Sequence, residues 1–345
     1  MRTPPPIENQ ILRELVESSY DITVEHLNFV PKGEAAHGFR LSDGEGRSYY
    51  LKVYGPTRMG QIGARRLGFT MSLAHALHHK YGITEVQPPI RTKEGRFSVS
   101  LDPVTIVLLP YIEGRTIEES GFHMTAEEHQ ALAELLARIH STPIPETPHP
   151  NAFETFDCPW LTELLIALTR LDMSIGQTTE QMRALRELVI SHRQRFLKEA
   201  ARIEELMIEL SRRRLPSTCI HTDPTAGNVI VAPDGKLHLI DWDEARIGAI
   251  EQDLWFFLEE HIADFMPEYR KRRPETKLDP DLVEFCVRGR ILADLTDWVV
   301  RIMNEQLDDE QFANDMEGIQ RDCIDAVDMV DTRVKAMRAN QEIWA

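Results

Sequence analysis

One ordered set of polar residues constrains this 345-residue chain more than any other feature. From Ser217 to Leu258 it reads STCIHTDPTAGNVIVAPDGKLHLIDWDEARIGAIEQDLWFFL. Two apolar runs, Val229-Ile230-Val231 and Leu237 to Ile240, flank the turn-forming string Pro233-Asp234-Gly235-Lys236, so they read as a β-hairpin. A hairpin returns its ends to one place. Asp223 and Asn228 stand just before the first strand and Asp241 just after the second. Folding of this segment alone therefore gathers two carboxylates and a carboxamide at one sheet edge.

Hard oxygen ligands of this kind suit Mg²⁺, which binds through one or two protein carboxylates and takes its remaining ligands from substrate phosphates and water. The remaining carboxylate, Asp223, is then placed to face a substrate hydroxyl. Metals on the phosphates and a carboxylate that orients the nucleophile are what a phosphoryl-transfer site requires. The bland alternative is a hairpin with polar residues at its base and no chemistry. The order H-x-D-x-x-x-x-N, then an apolar strand ending in Asp, favours the site, because each piece alone is weak and the set is specific.

The segment resembles the catalytic segment of the aminoglycoside phosphotransferase family, and within it HTDPTAGNV and LIDWDE are most similar to the spectinomycin phosphotransferases. The resemblance implies an α+β, protein-kinase-like, two-lobed fold. Its small β-rich nucleotide-binding lobe would span residues 1–108, the hinge 109–114, and the larger helical lobe with the catalytic loop and acceptor site 115–345. It implies that Asp223 is the catalytic base, that Asn228 and Asp241 bind metal, that His221 buttresses the catalytic loop and that Asp253 holds the loop's backbone. Mg²⁺ and ATP or GTP would be the cofactor and phosphoryl donor. Two departures from protein kinases point to a small acceptor: Thr225 replaces the lysine two residues beyond the catalytic Asp, and only eleven residues separate Asp241 from Asp253.

Charge is unevenly distributed. Residues 1–107 hold 13 Lys/Arg against 11 Asp/Glu, and the remainder 26 against 45, within a net charge of −17. The acidic part either concentrates cationic ligands in a cleft or simply keeps the surface soluble; both readings disfavour nucleic acid and anionic membranes as partners. No apolar run reaches the ~18 residues a membrane span needs, and MRTPPPIENQ contains no signal-peptide core. Cys158, Cys219, Cys286 and Cys323 are scattered, with no C-x-x-C pair, which suits reduced thiols and a cytoplasmic location.

Ahead of the catalytic segment, Ile7 to Ser19 has helical spacing, and Val24 to Val30, Ala36 to Ser42 and Ser48 to Tyr54 read as strands. The stretch Gly33 to Gly38 suits a phosphate-covering loop or an ordinary hairpin turn equally. Lys52, inside the alternating run of the third strand, either snorkels to an edge or binds an anion; the resemblance makes it the lysine that contacts nucleotide phosphates. Its customary helix glutamate is missing, since no Asp or Glu occurs from Arg47 through Thr84. Lys52 is therefore expected to meet Asp241 or the nucleotide directly. The helix expected at Gln61 to Lys80 carries His75, His78 and His79, either metal ligands or a solvated face. Val86 to Arg91 and Phe97 to Leu101 read as short strands, and Val104 to Leu109 as a strand broken by Pro110 and Gly114. By the resemblance, the linker Pro110-Tyr111-Ile112 binds the purine through its backbone, with the Pro110 carbonyl and the Ile112 amide. Helices are expected at 125–139, opened by a Thr125/Glu128 capping box, and at 160–173, 180–213, 254–265, 281–303 and 309–335.

For a cationic acceptor the sequence offers Asp243 and Glu244 directly after the metal aspartate, then Glu260 with Asp264 and Asp294 with Asp297, each pair on one helical face. Trp255 and Trp298 would supply apolar walls. The expected function is a nucleotide- and Mg²⁺-dependent phosphotransferase acting on a hydroxyl of a small cationic molecule, such as a spectinomycin-like aminocyclitol or an aminoglycoside. A metabolic kinase for choline, homoserine or a sugar is the alternative. A catalytically dead kinase-fold binding module is the third reading, raised by the missing glutamate.

Overall fold

The alternating runs near the N-terminus form an antiparallel sheet, as their period of two requires. This is a computed structural model describing residues 2–117, 121, 123–145, 152–174, 179–259 and 261–339. In chain order it opens with α1 (Asn9–Ser19), β1 (Val24–Val30), β2 (His37–Asp43), β3 (Ser48–Tyr54), α2 (Arg58–His79), β4 (Val99–Leu101), β5 (Val104–Pro110), β6 (Arg115–Thr116) and α3 (Ala126–His140). There follow α4 (Pro159–Met173), α5 (Glu180–Ile190), α6 (Arg193–Leu210), β7 (Thr218–Ile220), β8 (Val229–Val231), β9 (Leu237–Leu239) and β10 (Arg246–Gly248). The chain continues through α7 (Glu251–Leu254), α8 (Ile262–Arg272), α9 (Pro280–Asn304), α10 (Asp309–Gly318), a π-helical turn (Ile319–Asp325) and α11 (Ala326–Ala339).

Packing divides the chain into two compact units. One comprises Met1–Phe153, Ser217–Phe256 and His261–Pro274; the other comprises Glu154–Pro216, Phe257–Glu260 and Glu275–Ala345. The expected hinge at 109–114 and residues 217–256 of the segment singled out above lie inside the first unit, while Phe257 and Leu258 fall in the second.

In the first unit the sheet order is β1-β2-β3-β5-β4. Leu51 and Val53 of β3 point to one side, where they join Leu12 and Val16 of α1, Phe39, Leu41, Ile106 and Leu108 in a solvent-free core. Alternation then sends Tyr50, Lys52 and Tyr54 to the opposite face. Helix α3 begins with the anticipated capping box: the Thr125 side chain accepts from Glu128 N and the Glu128 carboxylate from Thr125 N. The strand expected at 86–91 does not form. Pro88 and Pro89 remove two ladder donors, leaving one isolated bridge between Val86 and Leu239.

Gly114 sits where the chain crosses β8: a Cβ there would lie 2.5 Å from the Val231 carbonyl oxygen and 2.6 Å from an Ile230 methyl carbon. The carbonyl belongs to a paired strand and cannot yield cheaply. Gly114→Ala should therefore cost ~1–3 kcal/mol by overpacking, measured as a lower urea midpoint, whereas wild-type stability would mean that β6 and β8 separate freely.

The second unit is helical, built on the buried faces of α4, α5, α6 and α9, including Leu164, Leu168, Leu185, Phe196, Ile203, Leu292 and Leu295. The single helix expected at 180–213 is broken. Ser191 and His192 turn their side chains back to the Leu188 carbonyl (3.0 Å each), ending α5 before α6 begins. The helix expected at 254–265 is likewise interrupted, with α7 and a 3₁₀ turn at Trp255–Phe257 preceding α8. Trp298 packs against Gly318 rather than standing as a free wall. No disulfide joins the four buried cysteines.

Candidate active site

The expected hairpin forms, with Val229 opposite Leu239 and Val231 opposite Leu237. One further bond, Ile240 N–H to the Asn228 carbonyl (2.9 Å), extends the ladder to its open end. Asn228 and Asp241 are thereby brought side by side. The backbone at Asp241 is left-handed (φ 63°, ψ 64°), a conformation that aspartate tolerates better than most residues. Asn228 Nδ2 donates to both the carbonyl (2.8 Å) and the carboxylate Oδ2 (3.0 Å) of Asp223. That commits the amide nitrogen and leaves the carbonyl oxygen of Asn228 as the acceptor it can offer a cation.

Behind this edge the loop at His221 to Asp223 hangs on Asp253, which is 0% exposed. Its carboxylate accepts from His221 N (2.9 Å) and Thr222 N (2.5 Å), as expected, and also from His140 Nε2 (2.9 Å). His140 Nδ1 and the Tyr269 hydroxyl share a further bond of 2.8 Å. Charged hydrogen bonds of this kind contribute ~1.5–3 kcal/mol each. They hold Thr222 at φ 78°, which a β-branched residue rarely adopts. His221, itself fully buried, donates from Nε2 to the Ile240 carbonyl (2.9 Å), accepts from Asp223 N at Nδ1 (3.3 Å) and meets the Trp242 ring edge-on. It ties the residue before Asp241 to Asp223 itself. Strands β7 and β10, which the sequence reading did not separate from their surroundings, pair across the base of this loop.

Lys52 reaches the same edge. Its Nζ lies 2.8 Å from Asp241 Oδ1 and 2.9 Å from Asp243 Oδ1, with its side chain 10% exposed. Burial alone would lower the lysine's pKa, but the charges of Asp241 and Asp243 outweigh it and hold the pKa above the ordinary value. Burial likewise acts to raise the Asp241 pKa, yet Lys52 brings it below the usual carboxylate range. Asp243 behaves oppositely, raised by burial, with Asp241's charge adding to the effect.

The expected acceptor carboxylates fall on elements of both units. Asp243 does not face outward: it is 7% exposed, and its oxygens meet Lys52 and the Tyr54 hydroxyl. The burial of its 3₁₀ turn at Trp242–Glu244 turns it inward. Glu244 remains open, 59% exposed and 3.3 Å from Arg66. Asp294 lies on α9 in the second unit, paired with Arg290 (2.7 Å), and Glu260 falls outside the described residues. At the linker, the Pro110 carbonyl accepts from Gln87 Nε2 (2.8 Å), Tyr111 stacks under the Arg40 guanidinium (4.1 Å), and Ile112 is half-buried. His75 and His79 line a groove of about 730 Å³ with Lys80, Arg91, Arg96 and Phe97. His78 instead bonds the Val86 carbonyl (2.7 Å).

Among the described residues no three His, Cys, Asp or Glu side chains gather closely enough to hold a metal ion. That fits a Mg²⁺ held by one carboxylate, one carboxamide oxygen, phosphates and water. Asp241 meets the need, since its side chain is 44% exposed despite its bond to Lys52. The sequence reading missed two residues of the site. His140 was visible only as the end of an apolar helix, and Tyr54 only as a strand residue, although its spacing of two from Lys52 puts both on one face.

A sequence profile described as the phosphotransferase enzyme family matches residues 26–286. Among solved structures, a spectinomycin phosphotransferase in complex with ADP and spectinomycin aligns with a TM-score of 0.72 at 21% identity, covering 95% of this chain and 99% of its own. An aminoglycoside phosphotransferase from Alicyclobacillus acidocaldarius aligns at 0.57 and 17% identity over 99% and 98% of the two chains. A microcompartment-associated aminopropanol kinase aligns at 0.59 and 16% identity over 96% and 100%. No curated protein sequence matches the chain. Among the described residues no helix is long and apolar enough to cross a membrane.

Proposed function

The chain belongs to the phosphotransferase enzyme family, and on that premise we propose that it moves the γ-phosphoryl group of ATP or GTP, with Mg²⁺, to a hydroxyl of a small cationic molecule. The observation that supports this most directly is the convergence at one hairpin edge of Asp223, Asn228, Asp241 and Lys52. The magnesium-bound nucleotide supplies an electrophilic phosphoryl group. Lys52 contributes a fixed positive charge for the phosphates, while Asn228 and Asp241 supply metal-facing oxygens. Asp223 receives the acceptor hydroxyl: Asn228 steadies its carboxylate at Oδ2, and the carboxylate accepts the hydroxyl's hydrogen bond and aims its oxygen at phosphorus. A loose phosphoryl-transfer transition state asks for positioning first and proton removal late. The backbone of 109–114 is assigned to the purine, the Pro110 carbonyl keeping a second lone pair after Gln87.

Charge supports a cationic acceptor. Residues beyond 107 carry 45 Asp/Glu against 26 Lys/Arg, and Glu244 stands exposed three residues from Asp241 in the same segment. An aminocyclitol or aminoglycoside fits that field, and so does a smaller amino alcohol, the metabolic reading. A turnover screen with ATP and with GTP decides between them. Spectinomycin, an aminoglycoside, choline, aminopropanol and a neutral sugar are offered, and nucleoside diphosphate release is measured. Turnover is expected with at least one amine-bearing alcohol. Turnover with the neutral sugar alone would overturn the cationic assignment, and none with any acceptor would favour the binding-module reading.

A further inference from the structure

We propose that Asp243, oriented by Tyr54, is the positioning residue for Lys52 and takes the place of a carboxylate on α2. The inference rests on the reading of Lys52 as the phosphate-contacting lysine. A lysine on a central strand with 10% of its side chain exposed requires a counter-charge. Helix α2 offers none, since it contains no Asp or Glu. Nor does it leave room for one at Gly63, where a Cβ would lie 2.9 Å from the Tyr54 ring. The tyrosine ring fills the space a helix side chain would occupy, and its hydroxyl donates to Asp243 Oδ2 (2.7 Å). That bond leaves Oδ1 facing Lys52 Nζ at 2.9 Å.

The two carboxylates that hold the lysine differ in what else they can reach. Asp241 has a side chain 44% exposed, whereas that of Asp243 is 9% exposed. The accessible one is available to a ligand from solvent; the buried one stays with the lysine. Trp242 between them is 2% exposed and anchored by its Nε1 to the Leu239 carbonyl (3.0 Å), which fixes the backbone that carries both carboxylates. Asp243 thus keeps Lys52 aimed while Asp241 is drawn toward a bound nucleotide and its cation.

The test is a double-mutant cycle read by calorimetric affinity for ADP, with the fold checked by circular dichroism. Asp243→Asn should weaken ADP binding about tenfold or more, because it removes one of the two close charges that hold Lys52. In a Lys52→Met background the same change should have no further effect, because Asp243 acts only through the lysine. Tyr54→Phe keeps the ring against Gly63 and should show a smaller loss of the same kind; it carries the test alone if Asp243→Asn fails to fold. Wild-type affinity in Asp243→Asn, or in Tyr54→Phe where that variant stands alone, would overturn the proposal. So would an equal loss with and without Lys52, the signature of a purely structural role. Unchanged ADP affinity in Lys52→Met would instead remove the nucleotide reading beneath it.

Discussion

Asp223→Asn should leave a folded enzyme whose kcat has fallen by at least about 10²-fold, with the acceptor KM moving far less. Asparagine keeps the shape of the side chain and one hydrogen-bonding oxygen but removes the charge and the proton acceptor. Against an alcohol a carboxylate is a weak base, so its main work is orientation, and general-base help typically adds ~10²–10⁴-fold. The substitution also places an amide beside Asn228 Nδ2, which now donates to Asp223 Oδ2 at 3.0 Å. The measurement uses an acceptor found in the turnover screen and a variant shown to be folded by circular dichroism. A folded variant with near-wild-type kcat would remove Asp223 from the reaction and with it the central assignment.

Asp253→Ala should be among the most damaging single changes in the first unit. It strands the buried His221 amide and His140 ring, and the half-buried Thr222 amide beside them. Each unsatisfied buried group costs ~1–3 kcal/mol, so the urea midpoint should fall by the equivalent of at least ~3 kcal/mol. Activity should be lost with it, because Thr222 is no longer held in its left-handed conformation and Asp223 loses its fixed place. ADP affinity of the remaining folded fraction should survive, since Lys52 and its two carboxylates do not touch Asp253. If Asp253→Ala unfolds at the wild-type midpoint, the loop is held by its other contacts.

The hairpin, the strands around Lys52 and the capped helix at Thr125 were legible because period, turn chemistry and caps are local signals. The convergence of Asp223, Asn228 and Asp241 was legible in their order, because a hairpin converts sequence order into spatial proximity. What could not be read depended on burial. Nothing in WDE says that Asp243 turns inward while Glu244 turns outward; that follows from how the 3₁₀ turn at Trp242–Glu244 packs. His140 meets Asp253 across 113 residues, and no periodicity announces such a pairing. The break at Ser191 and His192 was hidden because helix propensity alone favours continuing, whereas side chains bonding back to Leu188 end the helix.

The sequence separation of 189 from Lys52 to Asp241 also sets a condition on synthesis. Strands β1 to β5 and α1 are complete once residue 110 has emerged, and their core has all its members by then. Lys52 does not, because both of its counter-ions are translated much later. At ~5–20 residues per second, the sheet completed at residue 110 waits roughly seven to twenty-six seconds with a cation on the face that will later be closed. That face must stay wet, or be shielded, until residues 241–243 leave the ribosome. The lysine face is thus the last part of the early-folding sheet to be sealed, and until then it is the part of the growing chain most open to a wrong partner.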